Sequence, residues 1–480
     1  MRIPSDSGPH HRHGLGDVAA IAAMVIACHL ALLQLPFVNF EWAFNAAANF
    51  VATGDRALAE RYFEVEANSL VVPALGAGVA KILGISVDLG CRLLSILGVA
   101  LVALALPALS SGLGRARTIA LALLLLLNPL VWTFSGRGTA DFFPAAAAMC
   151  AIALLWHPAA AARLGGVVLF ALAVIAKYHA VLLLPLVALS PRPQSLGSRA
   201  VWLGATTMLS AVALLIYNAA VHARFGFWLT PPAFQIAHAP ALSLMLSNLT
   251  QYGGYLAILA APLSFTRALL PWSWSRTVAS AVGLGAAFAA GYWLLAANGE
   301  MSFGPFDRWI SPEFGRGALA GCCALFLISL IDPRSAMLSR RHAVSAAILL
   351  FVLCLSISRP SQRYLLLILP FYYVQLVQTA VSTRLIAATV ATFVLLNALV
   401  AVNQVATGRV AAALADEISA RGLVGQVDLG SYVSHLAMPS ANPARARYRA
   451  TDGCSDRALV CVSAQFGWTR QASIVALTPE

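Results

Sequence analysis

Long apolar runs separated by short polar stretches set the pattern of this chain. The runs are continuous and rich in Leu and Ala, as in ALALLLLLNPLVW over 120–132. The wall of a membrane β-barrel would alternate apolar and polar residues instead. The pattern predicts membrane-crossing helices at 17–36, 88–110, 118–133, 139–156, 164–176, 179–190, 200–221, 247–265, 277–297, 314–331, 343–357, 364–380 and 385–403. That is about thirteen spans. The pair at 164–190 is short for spans and reads as a tight hairpin around Lys177. Residues 70–84, LVVPALGAGVAKILG, are also short and hold Pro73 and Lys81, which suits a helix lying at the interface. The first run is too long for the core of a cleaved signal, and LPFVNF offers no small-residue cleavage site. It reads as an uncleaved helix with its N-terminus inside.

The fold class is therefore an all-α polytopic membrane protein. Residues 1–16 form a polar cytoplasmic tail, and 17–403 the transmembrane domain, with 37–87 as its first outer loop. Residues 404–480 are polar, carry strand-like pieces such as RALVCVSAQF, and predict a small α/β cap on the outer face.

Composition agrees. The 480 residues are 60% hydrophobic and only 10% charged, with a mean hydropathy of +0.80, which excludes a soluble domain. The net charge of +12 would suggest a nucleic-acid partner in a soluble protein. Here the arginines are scattered through short loops, so the membrane reading prevails. Six of the eight cysteines lie in apolar runs and pack as small hydrophobes. Cys454 and Cys461 lie in the polar tail and could pair there, outside the cytoplasm.

Charge separates the two sides. One set of loops holds Arg115, Arg117, Arg163, Arg192, Arg199, Arg267, Arg276, Arg334, Arg340, Arg341 and Arg384. The opposite set holds cations too, but also Glu41, Glu64, Glu66, Asp141, Glu300, Asp307 and Glu313. Nearly every Asp and Glu of the membrane portion falls on that second side, so cations on the first read as topology signals. Cations facing the acids read as a site.

Three outer stretches carry that chemistry. NFEWAFNAAANF places Glu41 just beyond the first span, with YFEVE downstream. NPLVWTFSGRGTADFFP holds Arg137 and Asp141 four residues apart, which is also the spacing of a structural helix pair. SRPSQRYLLLILPFYY holds Arg363 and Tyr364 at the start of a span, where an arginine also serves as a snorkelling anchor. Lys177, followed by Tyr178 and His179, adds a cation at a fourth entrance. Carboxylates and cations on one face suit an anionic lipid headgroup and a nucleophile that must lose a proton. The chain has no Gly-rich phosphate loop, HExxH, CxxC or GxSxG motif.

The order of these stretches resembles the GT-C superfamily of membrane glycosyltransferases. It is most similar to the branch of lipid A aminoarabinose transferases and protein O-mannosyltransferases. The resemblance rests on Glu41 after the first span, Thr53-Gly54-Asp55, Tyr62-Phe63-Glu64 and Leu83-Gly84. It continues through Arg92-Leu93-Leu94-Ser95, Pro129 with Arg137 and Asp141, Ala173 with Lys177, and Arg363 to Leu366 before Pro370. It covers roughly residues 15–400. Two positions depart: Asn39-Phe40-Glu41 stands where the branch has Asp, and Val65-Glu66-Ala67 where it often has Lys-Pro-Pro.

The resemblance implies transfer of a sugar from a polyprenyl-phosphate donor to a lipid, glycan or protein acceptor of the cell envelope. The setting it implies is the outer face of a bacterial inner membrane. Glu41 and Asp141 become the expected catalytic carboxylates, and Arg137, Lys177, Arg363 and Tyr364 the expected phosphate contacts. A divalent metal near Glu64 and His238 is the one candidate cofactor. The rival classes are a transporter or lipid flippase, and a silent relative of the transferases. Many transporters show two matching halves with interrupted helices; no such repeat occurs here.

Overall fold

The computed structural model describes residues 10–36, 40–65, 69–191, 194–226, 228, 241–268, 274–298, 301, 310–330, 340–357, 361–378 and 382–430. In the tail it describes 432, 435–436, 438, 440, 446–454, 458–466 and 468–477. The chain opens with α1 (His10–Ala31), which begins upstream of the apolar run. The first loop holds α2 (Glu41–Thr53), α3 (Arg56–Val65) and α4 (Val71–Leu83). The bundle continues with α5 (Val87–Leu109), α6 (Arg115–Leu126), α7 (Pro129–Ser135), α8 (Phe142–Leu155) and α9 (Ala160–Ala176). After Lys177 a 3-10 turn, Tyr178–Leu183, runs into α10 (Leu184–Val187). Then come α11 (Leu196–Phe225), α12 (Leu242–Leu259), α13 (Leu263–Ala268), α14 (Trp274–Asn298), α15 (Pro312–Ser329) and α16 (Arg340–Leu355). A second 3-10 turn, Gln362–Leu367, leads into α17 (Leu369–Val377), and α18 (Thr383–Ala420) reaches the tail.

Among the described residues, α5, α11 and α18 are long and apolar enough to cross a membrane alone. The pair α6 and α7, bent by 62°, makes a fourth crossing if counted as one. The remaining apolar stretches, among them Leu15–Ala31, Phe142–Leu155, Ala160–Ala176 and Val282–Ala297, run 10–17 residues, so three or four of the roughly thirteen expected crossings are met by length and composition among the described residues.

The bend between α6 and α7 follows from Asn128-Pro129. Proline is favoured at the first position of α7, and the Asn128 side chain caps that helix by accepting from Leu130 N at 3.0 Å. A broken helix in an apolar setting leaves carbonyls that need donors. Asn397 on α18 donates to Leu127 O at 2.9 Å. Asn128 in turn donates to Leu259 O at 2.8 Å and to the Tyr373 hydroxyl at 3.0 Å, and that hydroxyl donates to Leu259 O at 2.7 Å. Four helices therefore meet in one buried polar knot.

The first loop folds onto the bundle. Trp42, Ala43, Phe44 and Ala47 of α2 pack with Tyr62, Val72, Leu94, Ala140, Phe143 and Ala176. Tyr62 is buried and donates to Ser69 O at 3.1 Å, while Leu70 N donates to Tyr217 of α11 at 2.7 Å. The solvated side is confined to residues such as Asp55 and Glu60, with Glu60 paired to Arg56 on the surface. α4 meets α5 through Gly76 and Gly90. A Cβ on Gly90 would strike the Gly76 carbonyl, and a Cβ on Gly76 would strike Cys91. This close approach seats the N-terminal turn of α5 against the loop.

α18 has 38 residues. At 1.5 Å per residue it is about 57 Å long, roughly twice the apolar thickness of a bilayer. Its C-terminal half projects beyond the bundle and carries Val410, Ala411, Leu414 and Ile418 into a separate core. The other side of that core is a small mixed sheet: β1 (Val427–Asp428), β2 (Tyr448–Asp452), β3 (Ala458–Phe466) and β4 (Trp468–Ala476), in the order β1-β2-β4-β3. β1 and β2 are parallel, and the other pairs are antiparallel, with Ala450 opposite Ile474. Burial, with Asp452 beside it at 2.6 Å, pushes the Tyr432 phenol above its usual range. Cys454 and Cys461 are bonded.

Asn128→Leu is expected to lower stability by about 1–3 kcal/mol, because it strips a cap and removes the buried donor shared by Leu259 O and the Tyr373 hydroxyl. Thermal unfolding in detergent micelles reads this; an unchanged midpoint would show that the bend does not need the knot.

Candidate functional site

Glu41 is the first residue of α2. It follows Phe40, the one non-glycine among the described residues with positive φ, at 61°. A bulky residue in the left-handed region is strained, and such strain gathers where a side chain must be aimed. The aimed group is the Glu41 carboxylate, 2% exposed. Arg92, in the first turns of α5, holds it from two sides: Nε to Oε1 at 2.8 Å and a terminal nitrogen to Oε2 at 3.2 Å. Arg92 also donates to Leu33 O. The Gly138 amide adds a bond to Oε1 at 2.7 Å.

Residues 136–141 form a non-helical turn between α7 and α8. The i,i+4 pairing rule belongs to helices, and this turn sends Arg137 and Asp141 to different partners. Arg137 lies 3.8 Å from Glu41 Oε2. It donates to Pro36 O at 3.0 Å, to Leu35 O at 3.4 Å and to the Gln404 side chain of α18 at 2.6 Å. Asp141, at the start of α8, is fully buried. Its Oδ1 takes Lys177 Nζ at 2.7 Å and has Arg363 Nε at 3.9 Å. Its Oδ2 is buried and accepts no hydrogen bond from the described residues.

Lys177 reaches Asp141 because α9 stops there and the backbone turns extended. Its ammonium also sits 5.0 Å from the centre of the Tyr364 ring, and the Arg363 guanidinium carbon 5.8 Å from the same ring. His179 stacks on that ring, with centroids 4.2 Å apart. Tyr364 thus has an imidazole and two cations around its ring. Arg363 is 18% exposed, whereas the side chains of Arg92, Arg137 and Lys177 are 2–4% exposed. A small cleft lined by His29, Trp132, Gly136, Arg137, Val400 and Gln404 opens beside Arg137.

The structure thus brings Glu41 and Arg137 to one pole, and Asp141, Lys177, Arg363 and Tyr364 to the other, with the 136–141 turn between them. Four cations and two carboxylates gather there, a net +2 among the described residues (4 − 2). Burial of charge is costly, and an excess of one sign attracts an ion of the other. The sequence assigned Arg92 no role, although a lone charge in an apolar run is the signal that marks such residues. Gln404 and the Gly138 amide carried no signal at all. The side chain of Glu64 and all of His238 lie outside the described residues, among which no group of three or more His, Cys, Asp or Glu could hold a metal ion.

No family model matches the chain, and no curated protein does. Among solved structures it is similar to ArnT from Cupriavidus metallidurans, in the apo state and bound to undecaprenyl phosphate. Each comparison gives a TM-score of 0.44 at 15% identity, over 95% of this chain and 97% of that one.

Arg92→Leu leaves Glu41 buried without its bidentate partner and is expected to cost about 3–5 kcal/mol. The double change Arg92→Leu with Glu41→Leu is expected to regain most of that, since an apolar pair removes both buried charges. Unfolding midpoints of the single and double variants check this; equal losses in both would show that the pair is not coupled.

Proposed function

We propose that this protein transfers a sugar from a polyprenyl-phosphate donor to a cell-envelope acceptor, at the extracytoplasmic face of a bacterial inner membrane. The observation that carries the reading is the neighbourhood of Asp141. One of its oxygens accepts from Lys177 and faces Arg363, and the other lies buried with no regular hydrogen bond from the described residues. A phosphate beside Arg363 and an acceptor hydroxyl or amine beside Oδ2 would complete this arrangement. Arg363 is the most exposed of the four cations, and a guanidinium can grip two phosphate oxygens at once.

In this reaction the acceptor oxygen or nitrogen forms a bond to the anomeric carbon. The bond from that carbon to the phosphate oxygen breaks, and its electron pair leaves with the polyprenyl phosphate. The acceptor proton passes to a carboxylate: Glu41 is the proposed base, with Asp141 orienting the nucleophile. Lys177 and Arg363 take up the charge that grows on the leaving phosphate, and Tyr364 shapes their seat. A divalent metal, if bound, would be held near Glu64 and His238. The segregation of arginines at the starts of α6, α9, α11, α16 and α18 supports that end as cytoplasmic. The Cys454–Cys461 bond in the cap supports the other end as the oxidising side.

Mass spectrometry of envelope glycolipids and glycans from a deletion strain is expected to show loss of one glycosylated species. Complementation with Glu41→Gln or Asp141→Asn should restore little of it, because loss of a general base costs on the order of 10²–10⁴ in rate. Full restoration by Glu41→Gln would transfer the role of base to Asp141, and full restoration by both would sink the carboxylate mechanism.

Arg363→Lys is expected to weaken donor use and Arg363→Ala to weaken it further. A snorkelling anchor would tolerate the lysine without change. Wild-type donor dependence in both variants would leave the phosphate to Lys177.

Alkaline phosphatase fused after Leu477 should be active. An inactive fusion, with a fluorescent cytoplasmic reporter there, would invert the topology.

A further inference from the structure

We infer that Gln404 is a positioning residue that holds Arg137 back from Glu41, and that the C-terminal cap takes part in the site through it. The inference rests on the reading of Glu41 as the base. Among the described residues the Arg137 side chain has three neutral acceptors, and none of them is on its own turn. Leu35 O and Pro36 O come from the elbow after α1, and the Gln404 oxygen, at 2.6 Å, comes from α18. Together they fix the guanidinium with its nearest nitrogen 3.8 Å from Glu41 Oε2, beyond hydrogen-bond distance. An unrestrained guanidinium so close to a buried carboxylate would close on it, because a charge-assisted pair is much the stronger bond. Glu41 would then be gripped by two arginines, and a carboxylate gripped in that way accepts a proton poorly.

Gln404 is itself held in register by the cap. Gly408, one turn further along α18, lies so close to Pro36 that a Cβ would overlap that ring. On β4, Arg470 donates to Asn403 at 2.9 Å and also to Thr407, the residues flanking Gln404 on α18. Its other end approaches Asp452 of β2 at 3.9 Å. The small sheet thus clamps the stretch of α18 from which Gln404 reaches Arg137.

The test compares Gln404→Met, which keeps length but removes the acceptor, with Gln404→Glu, which keeps the acceptor. Two measurements are made on each full-length protein: a structure, and turnover with the polyprenyl-phosphate sugar fraction of the native cells. In Gln404→Met the Arg137–Glu41 separation should fall to hydrogen-bond distance. The turnover number should fall about 10- to 100-fold, a fraction of the full general-base effect, with donor KM within about twofold of wild type. Gln404→Glu should keep the separation and most of the turnover. An unchanged separation in Gln404→Met overturns the inference whatever the activity shows. So does a closed pair with full turnover, or a loss seen only in KM. Full turnover of Glu41→Gln under the same conditions would instead remove the reading of Glu41 as base, and this inference with it. The two failures are therefore distinguishable.

Discussion

Two ions held out of water, Glu41 and Arg92, set the terms for this end of the molecule. Their pairing is bidentate and almost fully buried. A buried pair of this kind contributes little net stability over an apolar pair, because each ion loses its hydration. It persists only where its geometry is enforced, and here the enforcement is visible. α2 starts from a strained Phe40, α4 packs against α5 with glycine at both points of closest approach, and the 136–141 turn delivers the Gly138 amide to the same oxygen. Each device costs backbone freedom or strain. Their convergence on one carboxylate argues for a role beyond holding the fold.

Breaks in the helices supply the remaining groups. A continuous apolar helix spends its backbone on itself and shows only side chains to its neighbours. Here α7 ends in the turn that carries Arg137 and Asp141, α9 ends at Lys177, and a 3-10 turn carries Arg363 and Tyr364 into α17. The interruptions lie at the same end of the bundle, and the side chains they release meet one another. The polar knot around Asn128 makes one of these breaks tolerable in an apolar setting, by giving its freed carbonyl a donor.

Much of this was legible in the sequence, for a physical reason. Apolar runs long enough to be helices cannot hide, and charges at their ends stand out against them. Glu41, Arg137, Asp141, Lys177, Arg363 and Tyr364 could all be named as candidates in that way. Their pairing could not. Spacing suggests that Arg137 and Asp141 face each other, and they would on a helix. The Gly136–Asp141 stretch is a turn, so the partners come from elsewhere: Glu41 for one, Lys177 for the other. Gln404 was invisible for a further reason. It is one amide on a helix far along the chain, and its meaning arises only when α18 crosses beside the elbow at Pro36.

The two carboxylates differ in what surrounds them. Glu41 is held by a guanidinium and an amide, with a second guanidinium kept at a distance. Asp141 is held on one oxygen by an ammonium, while the other makes no regular hydrogen bond with the described residues and has the buried Thr139 hydroxyl nearby. A buried acceptor without a donor is expensive, typically by about 1–3 kcal/mol. A ligand that brings a hydroxyl or amine to that oxygen recovers this energy on binding, and so binds in one orientation. The partly exposed Arg363, 3.9 Å from the same carboxylate, would draw an anion to the other side of the same point. Under the transfer proposed above, a nucleophile and an anionic leaving group would be set next to each other by one aspartate, before any bond is broken.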